Sequence, residues 1–226
     1  MQIIEQGHEI LNTSSDNLVD FIANRARACY KSEDKATPEK NEALIEMLIR
    51  KGHHSQLEHG NMTVKLITDR GVTHELVRHR LASFSQESTR YCRYDNGHMQ
   101  FIRPVWADKE VLGKWKSNMF LGEEKFTYPA DFLWFLSCLT SEGAYGELLS
   151  KTWSPQQARS VLNHSLKTEI DVTANVREWR HILDLRCSKQ AHPQIRGLFN
   201  GVLTDFTNRF PALFKDIYDK YAEGEN

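Results

Sequence analysis

At 226 residues, with 40% hydrophobic and 26% charged residues, the chain has an ordinary globular make-up and room for one large domain or two small ones. A formal charge of −1 excludes a whole-molecule field able to hold a polyanion, so a nucleic-acid binder would need a local basic patch. Four single cysteines (Cys29, Cys92, Cys138, Cys187) speak against a structural zinc site or a disulfide framework and suit a reducing cytoplasm; the opening MQIIEQGHEI lacks a signal peptide's basic start, and the apolar run Phe132 to Leu139 is too short to span a bilayer.

Asp16 is the expected cap of a first helix running to about Tyr30, with Leu18, Phe21, Ile22 and Arg25 at helical spacing. Thr37-Pro38 opens a second helix that runs through Lys51 and stops at Gly52. Residues 61–68, NMTVKLIT, alternate apolar and polar and predict a strand ended by Gly71. Val72 to Leu81 predicts a helix that turns Leu76, Val77 and Leu81 inward, and Met99 to Pro104 a second strand. Helices are expected over Lys109 to Leu121 and Ala130 to Thr152, then a short one from Ser154-Pro155. Lys167 to Thr173 predicts a third strand, Ala174 to Arg186 a helix, and His192 to Tyr221 a helical tail broken at Pro211. No repeat, low-complexity tract or Gly/Ser linker divides the sequence. The expectation is an α+β fold, a helix-rich single domain over residues 1–226 around a small, mostly antiparallel sheet.

The densest chemistry lies in residues 78–92, R-H-R-L-A-S-F-S-Q-E-S-T-R-Y-C. Three arginines, a histidine and four hydroxyl side chains stand there together. Guanidinium forks are permanently charged and bond oxyanions in pairs, and hydroxyls add shorter-range donors, so the segment suits phosphorylated ligands. On a helix, Glu75, Arg78 and His79 would share one face. Taken alone, that triplet is more commonly a solvated face with an ion pair of little net energy. The downstream Ser88-Thr89-Arg90 repeats the anion-binding chemistry and shifts the balance.

Upstream, His53, His54 and His59 with Glu58 invite a metal, but no H-E-x-x-H spacing is present, and a structural cluster fits better. Ser55 in the same segment offers a hydroxyl to a phosphate. Downstream, Asn175 and Arg186 are three helical turns apart, about 16 Å, on nearly the same face, so one helix can touch both ends of a large ligand. Arg177 and His181 form a further i, i+4 pair, and Arg159 sits after Pro155.

These motifs together resemble the flavin-dependent thymidylate synthases. Arg78-His79-Arg80, seven residues and then Ser88 resemble the family's signature. His53-x-Ser55-x-x-Glu58-His59 upstream, and Asn175-x-Arg177, His181, Leu185-Arg186 and Ala191 to Arg196 downstream, resemble its other motifs in order, over residues 53 to 196. The resemblance implies reductive methylation of dUMP to dTMP, with methylenetetrahydrofolate as carbon donor, FAD as hydride carrier and NADPH as reductant. It implies a cytoplasmic homotetramer whose active sites are shared between subunits, with no nucleic-acid or membrane partner and no metal.

Carried over residue by residue, the family's FAD contacts fall on Ser55, Arg78, His79, Arg80, Asn175, Arg177 and His181. Its dUMP contacts fall on Glu75, Arg78, Gln86, Glu87, Ser88, Thr89, Arg90, Arg159 and Arg186. Arg90 and Arg159 would clamp the phosphate. Arg186 would be catalytic, stabilising charge that develops on the pyrimidine. No protein nucleophile is then required: Cys92 is off-motif, and Ser88 has no base within reach by sequence. Two departures stand out, Gly60 where a bulky apolar residue is usual, and Ala191-His192-Pro193-Gln194 where the family usually has A-Q-x-E; neither falls on an implied nucleotide or flavin contact. Two competing readings are an RNA-binding module stacking bases on Tyr91 and Tyr94, and a metal-dependent hydrolase built on His53 to His59.

Overall fold

The computed structural model describes residues 1–95, 99–108 and 130–222. In chain order it contains β1 (Gln2–Ile4), β2 (Gly7–Thr13), α1 (Leu18–Ala28), α2 (Pro38–Arg50), a 3₁₀ turn (His54–His59), β3 (Asn61–Asp69), α3 (Arg70–Leu76), β4 (Ser83–Gln86), β5 (Gln100–Ile102), α4 (Ala130–Ser150), α5 (Pro155–Ala158), β6 (Lys167–Asn175), α6 (Val176–Arg186), α7 (Pro193–Arg209) and α8 (Pro211–Ala222). The helix expected over Lys109 to Leu121 lies outside the described residues. The fold is helix-rich α+β with a small, mostly antiparallel sheet, as expected. Among the described residues no helix is long and apolar enough to cross a membrane.

The described residues form two compact units, each drawn from three stretches of chain. The first comprises Met1–Gln6, Ile67–His74 and Gln86–Glu169. Its β1 and β5 pair in parallel, with Ile3 opposite Phe101. Its core gathers Met99, Phe101, Cys138, Tyr145, Ala158 and Leu166, so α4 supplies one wall and the β5 strand another. The pairing of β1 is absent from the sequence expectation because a three-residue strand carries too little alternation to be recognised.

The second unit comprises Gly7–Leu66, Glu75–Ser85 and Ile170–Asn226. A four-stranded sheet runs in the order β2-β3-β6-β4. Strict alternation along β3 buries Met62, Val64 and Leu66, and along β6 it buries Ile170, Val172 and Ala174. The Thr63 and Thr173 hydroxyls bond across these two strands at 2.9 Å. Helix α6 follows β6 directly and is fastened to β3: the Val176 N–H donates to the Gly60 carbonyl at 2.8 Å, and the Trp179 indole N–H to the Met62 carbonyl at 3.0 Å. Trp179 is fully buried and meets Phe206 of α7 edge-on at 5.3 Å. Gly60 has a packing reason, since a Cβ there would lie 2.7 Å from Ile22 Cδ1 and 2.9 Å from Leu18 Cδ1. A larger side chain at this position would have to push the ends of Ile22 and Leu18 aside.

Local signals account for most helix ends. Asn17, one residue past the expected Asp16, caps α1 by accepting from the Asp20 N–H at 3.1 Å. Thr37 caps α2 with Pro38 in the first turn, and Gly52 just past its end takes a left-handed φ of +73°.

The expectation for 72–81 fails in an instructive way. Helix α3 ends at Leu76. The Glu75 carbonyl, which a continuing α-helix would offer to the His79 N–H, accepts instead from Arg186 Nη2 at 2.9 Å and from the Arg78 N–H at 3.4 Å. The chain then proceeds by tight turns, with the His79 N–H on the Leu76 carbonyl and the Ala82 N–H on the His79 carbonyl. Leu76 is buried as expected, but Val77 is 40% and Leu81 78% exposed, while the polar His79 goes inside. A tertiary bond from a distant arginine has overridden the local period.

Candidate functional site

Within the second unit a cavity of about 1200 Å³ opens along one side of α6. Asn175 at the N-cap of α6 and Arg186 in its last turn both line it, as the three-turn spacing predicts. Between them α6 contributes Arg177, Glu178 and His181. The turn after α3 contributes Arg78, His79, Arg80 and Leu81, and the 3₁₀ turn contributes His54 and Glu58. Helix α8 adds Asp216, Ile217 and Lys220, which the sequence reading missed because α8 carries no motif. Ser55 is exposed and is not among the lining residues, although His54 and Glu58 beside it are.

Most of the basic side chains of this cavity are paired with carboxylates. Arg177 Nη1 meets Glu58 Oε1 at 2.6 Å, Arg180 meets Asp216 at 2.6 Å, and Lys220 meets Asp184 at 2.5 Å. Arg186 is paired with Glu75 at 3.2 Å. Among the described residues, Arg78 and Arg80 have no hydrogen-bonding or ion-pair partner for their side chains, and both are exposed. Two uncommitted guanidiniums on the wall of a large cavity make it a receptor for an anion.

Arg186 is held on three sides. Its Nε–H donates to His79 Nε2 at 2.9 Å, Nη1 to Glu75 Oε2 at 3.2 Å, and Nη2 to the Glu75 carbonyl at 2.9 Å. A guanidinium carries five N–H groups, so one hydrogen on each terminal nitrogen is left for a ligand. Glu75, in the last turn of α3, and His79, in the turn that follows, thus flank Arg186 without sharing a helical face. The His79 ring is 6% exposed, and its Nδ1 faces Glu178 Oε1 at 3.7 Å. Burial, then the Arg186 charge, then His181 depress its pKa from 6.5 to about 4, so it is neutral near pH 7. Burial raises the Glu178 carboxyl, with His181 opposing. Both ring nitrogens of His79 therefore face protein groups, and the His181 ring packs against it with centroids 6.0 Å apart.

Possible ligand atoms of His79, Glu178 and His181 lie within 4.8 Å of one another. That composition would suit a metal, but the Arg186 Nε–H occupies His79 Nε2, and Arg78 and Arg80 line the same cavity. The surroundings favour an anion over a cation.

Asn175 has two tasks. Its side-chain oxygen caps α6 by accepting from the Glu178 N–H at 2.9 Å, which leaves its amide N–H groups for a ligand. His192, just before α7, reaches Glu75 Oε1 with its Nδ1 at 3.9 Å. The departure at His192 is therefore not remote from the site: it stands beside a residue expected to meet the nucleotide.

The first unit holds the other expected nucleotide contacts. Arg159 Nη1 donates to the Thr89 hydroxyl at 3.2 Å, which joins residues 70 positions apart. The Ser88 hydroxyl accepts from the Arg90 N–H at 3.3 Å, and the Arg90 guanidinium lies 5.3 Å from the Tyr91 ring centroid. Arg90 and Arg159 are exposed at this corner. Gln86 and Glu87 serve the unit itself: the Gln86 amide donates to Thr73 and Thr168, while Glu87 accepts from the Tyr94 hydroxyl at 2.8 Å and pairs with Lys167 at 3.5 Å. They shape the segment from within.

A family model described as "Thymidylate synthase complementing protein" matches residues 11–212. Flavin-dependent thymidylate synthases of Corynebacterium diphtheriae and Corynebacterium efficiens are each 33% identical over 208 residues, covering 91% and 90% of this chain and 80% of each of theirs. That of Mycobacteroides abscessus is 32% identical over 211 residues, covering 91% of this chain and 82% of its own. Among solved structures, a UMP/dUMP methylase, PolB from Streptomyces cacaoi, bound with 5-Br dUMP, shares the fold at a TM-score of 0.74 and 24% identity over 98% of both chains.

Proposed function

This chain belongs to the thymidylate synthase complementing protein family, and from that membership and the site geometry we propose that it is a flavin-dependent thymidylate synthase. It converts dUMP, methylenetetrahydrofolate, NADPH and a proton into dTMP, tetrahydrofolate and NADP⁺. The observation that carries the reading is the pair of uncommitted arginines, Arg78 and Arg80, on a cavity of about 1200 Å³. Pockets for drug-sized ligands fall at roughly 300–1,000 Å³, so this one suits a larger molecule. The two unpaired guanidiniums suit the oxygens of a dinucleotide's diphosphate.

FAD fits these residues, and when bound it supplies hydride carriage between NADPH and the transferred carbon. Arg78 and Arg80 hold its diphosphate. The Asn175 amide, Arg177 and His181 meet its polar edges, and His79 and Leu81 border it. Ser55 contributes at most from the margin. For dUMP, Arg90 and Arg159 clamp the phosphate, and Ser88 and Thr89 orient the nucleotide through hydroxyl and backbone N–H groups. Glu75 holds Arg186, whose two remaining N–H groups face the pyrimidine. A fixed guanidinium there stabilises negative charge as carbon 5 becomes nucleophilic toward the folate carbon. No thiol is used. The whole chain acts as one catalytic domain in a cytoplasmic homotetramer whose sites are completed by neighbouring subunits.

Purified protein that is yellow, and that forms dTMP anaerobically from dUMP, methylenetetrahydrofolate and NADPH, supports this function. Replacing Arg78 or Arg80 with Gln removes a charged hydrogen bond of about 1.5–3 kcal/mol, which weakens FAD binding by roughly 10- to 100-fold. Flavin content and dTMP formation both unchanged in the Arg78→Gln, Arg80→Gln double variant would refute it.

A further inference from the structure

We propose that Glu178 is a positioning residue, which fixes the tautomer of His79 so that the bare Nε2 of that ring receives the Arg186 Nε–H and aims the rest of the guanidinium. The inference deepens the proposed function and rests on it for the role of Arg186; the tautomer itself does not depend on it.

An arginine is protonated at any working pH, so its Nε can only donate. The 2.9 Å contact from Arg186 Nε to His79 Nε2 therefore requires a lone pair on Nε2. A neutral imidazole with a bare Nε2 carries its proton on Nδ1. Nδ1 faces Glu178 Oε1 at 3.7 Å, and both side chains are buried, at 5% and 8% exposure. In so dry a place, a carboxylate close to Nδ1 favours the tautomer with a proton there and disfavours its opposite. The opposite tautomer would set an N–H against the Arg186 N–H and push the guanidinium off its seat.

Glu178 is itself placed by the backbone. It lies in the first turn of α6, where its N–H is taken by the Asn175 cap at 2.9 Å. The path Asn175, Glu178, His79, Arg186 thus links one end of α6 to the other across the cavity wall. Glu75 completes the seat on the far side of Arg186, at 3.2 Å. Neither Glu178 nor the His79 nitrogens need touch substrate for this to operate.

The test compares Glu178→Met, close in volume but without an oxygen acceptor, with Glu178→Gln, which still offers an oxygen to Nδ1–H. Magic-angle-spinning ¹⁵N spectra of ring-labelled histidine, with His79 assigned by its loss in His79→Gln, read the tautomer directly in the whole protein. Wild type and Glu178→Gln should show the Nδ1–H form, and Glu178→Met a mixture. In anaerobic dTMP assays Glu178→Met should lose at least tenfold in kcat, with KM for dUMP changed less than threefold and flavin retained; Glu178→Gln should recover most of the rate. A Glu178→Met protein that keeps the wild-type tautomer overturns the proposal, as does a Glu178→Gln protein that loses it. If Glu178→Met does not fold, Glu178→Leu takes its place in the same comparison, with the same outcomes deciding. Should the tautomer respond as stated while wild type makes no dTMP, the positioning stands and the assignment of the reaction falls.

Discussion

His79 should make the protein acid-sensitive in a calculable way. Its ring is buried against Arg186 and His181, which holds its pKa near 4 in the folded chain, whereas in the unfolded chain it returns to about 6.5. Above pH 6.5 the ring is neutral in both states, and the folded state has its full stability. As the pH falls, the unfolded chain takes up the proton first, so stability is lost between pH 6.5 and about 4 and levels off below. The loss is about 2 kcal/mol by pH 5 and about 3 kcal/mol at the acid limit. Carboxylates titrate in the same range, so the measurement is a difference of differences. Urea unfolding followed by tryptophan fluorescence, at equal protein concentration, is run at pH 7.5 and pH 5 for wild type and His79→Gln. Glu178, His181 and Arg186 are common to both proteins. The stability of wild type relative to the variant should fall by about 2 kcal/mol between the two pH values. A gap that stays constant, or that moves the other way, would refute a buried neutral imidazole at this position.

Two more outcomes follow from the same wall of the cavity. Arg186→Lys keeps a positive charge but cannot hold Glu75 and His79 while presenting two further N–H groups; kcat for dTMP formation should fall roughly 10²- to 10³-fold with flavin content preserved, as when a preorganised donor to developing charge is removed. Asn175→Ala removes the cap of α6 and should cost about 1 kcal/mol in denaturant unfolding, whereas Asn175→Asp should retain the cap and disfavour an anionic ligand.

Where the sequence carried a strong local signal, the structure agrees with it. Thr37-Pro38 and Gly52 bracket α2, the alternation of 61–68 is β3, and the spacing of Asn175 and Arg186 places both on one cavity. The short strands β1, β2 and β4 went unread, since three to seven residues with mixed burial give little pattern to recognise. The segment 72–81 went astray for a deeper reason: the bond that stops α3 comes from Arg186, more than a hundred positions away. Arginines carry no label of commitment either. Sequence alone does not separate Arg177, which is neutralised by Glu58, from Arg78 and Arg80, which are not. The contact between Arg159 and Thr89 was legible only through the family resemblance, because no local rule joins the two segments.

Helix α6 is pinned to the sheet near its first turn through Val176 and Trp179 and bears Arg186 at its far end. Each residue of an α-helix advances the direction of its side chain by about 100°. One residue inserted or deleted between Trp179 and Arg186 would swing that guanidinium away from Glu75 and His79 while leaving every other side chain chemically intact. This stretch should therefore tolerate exchanges of residue type far more readily than any change in length.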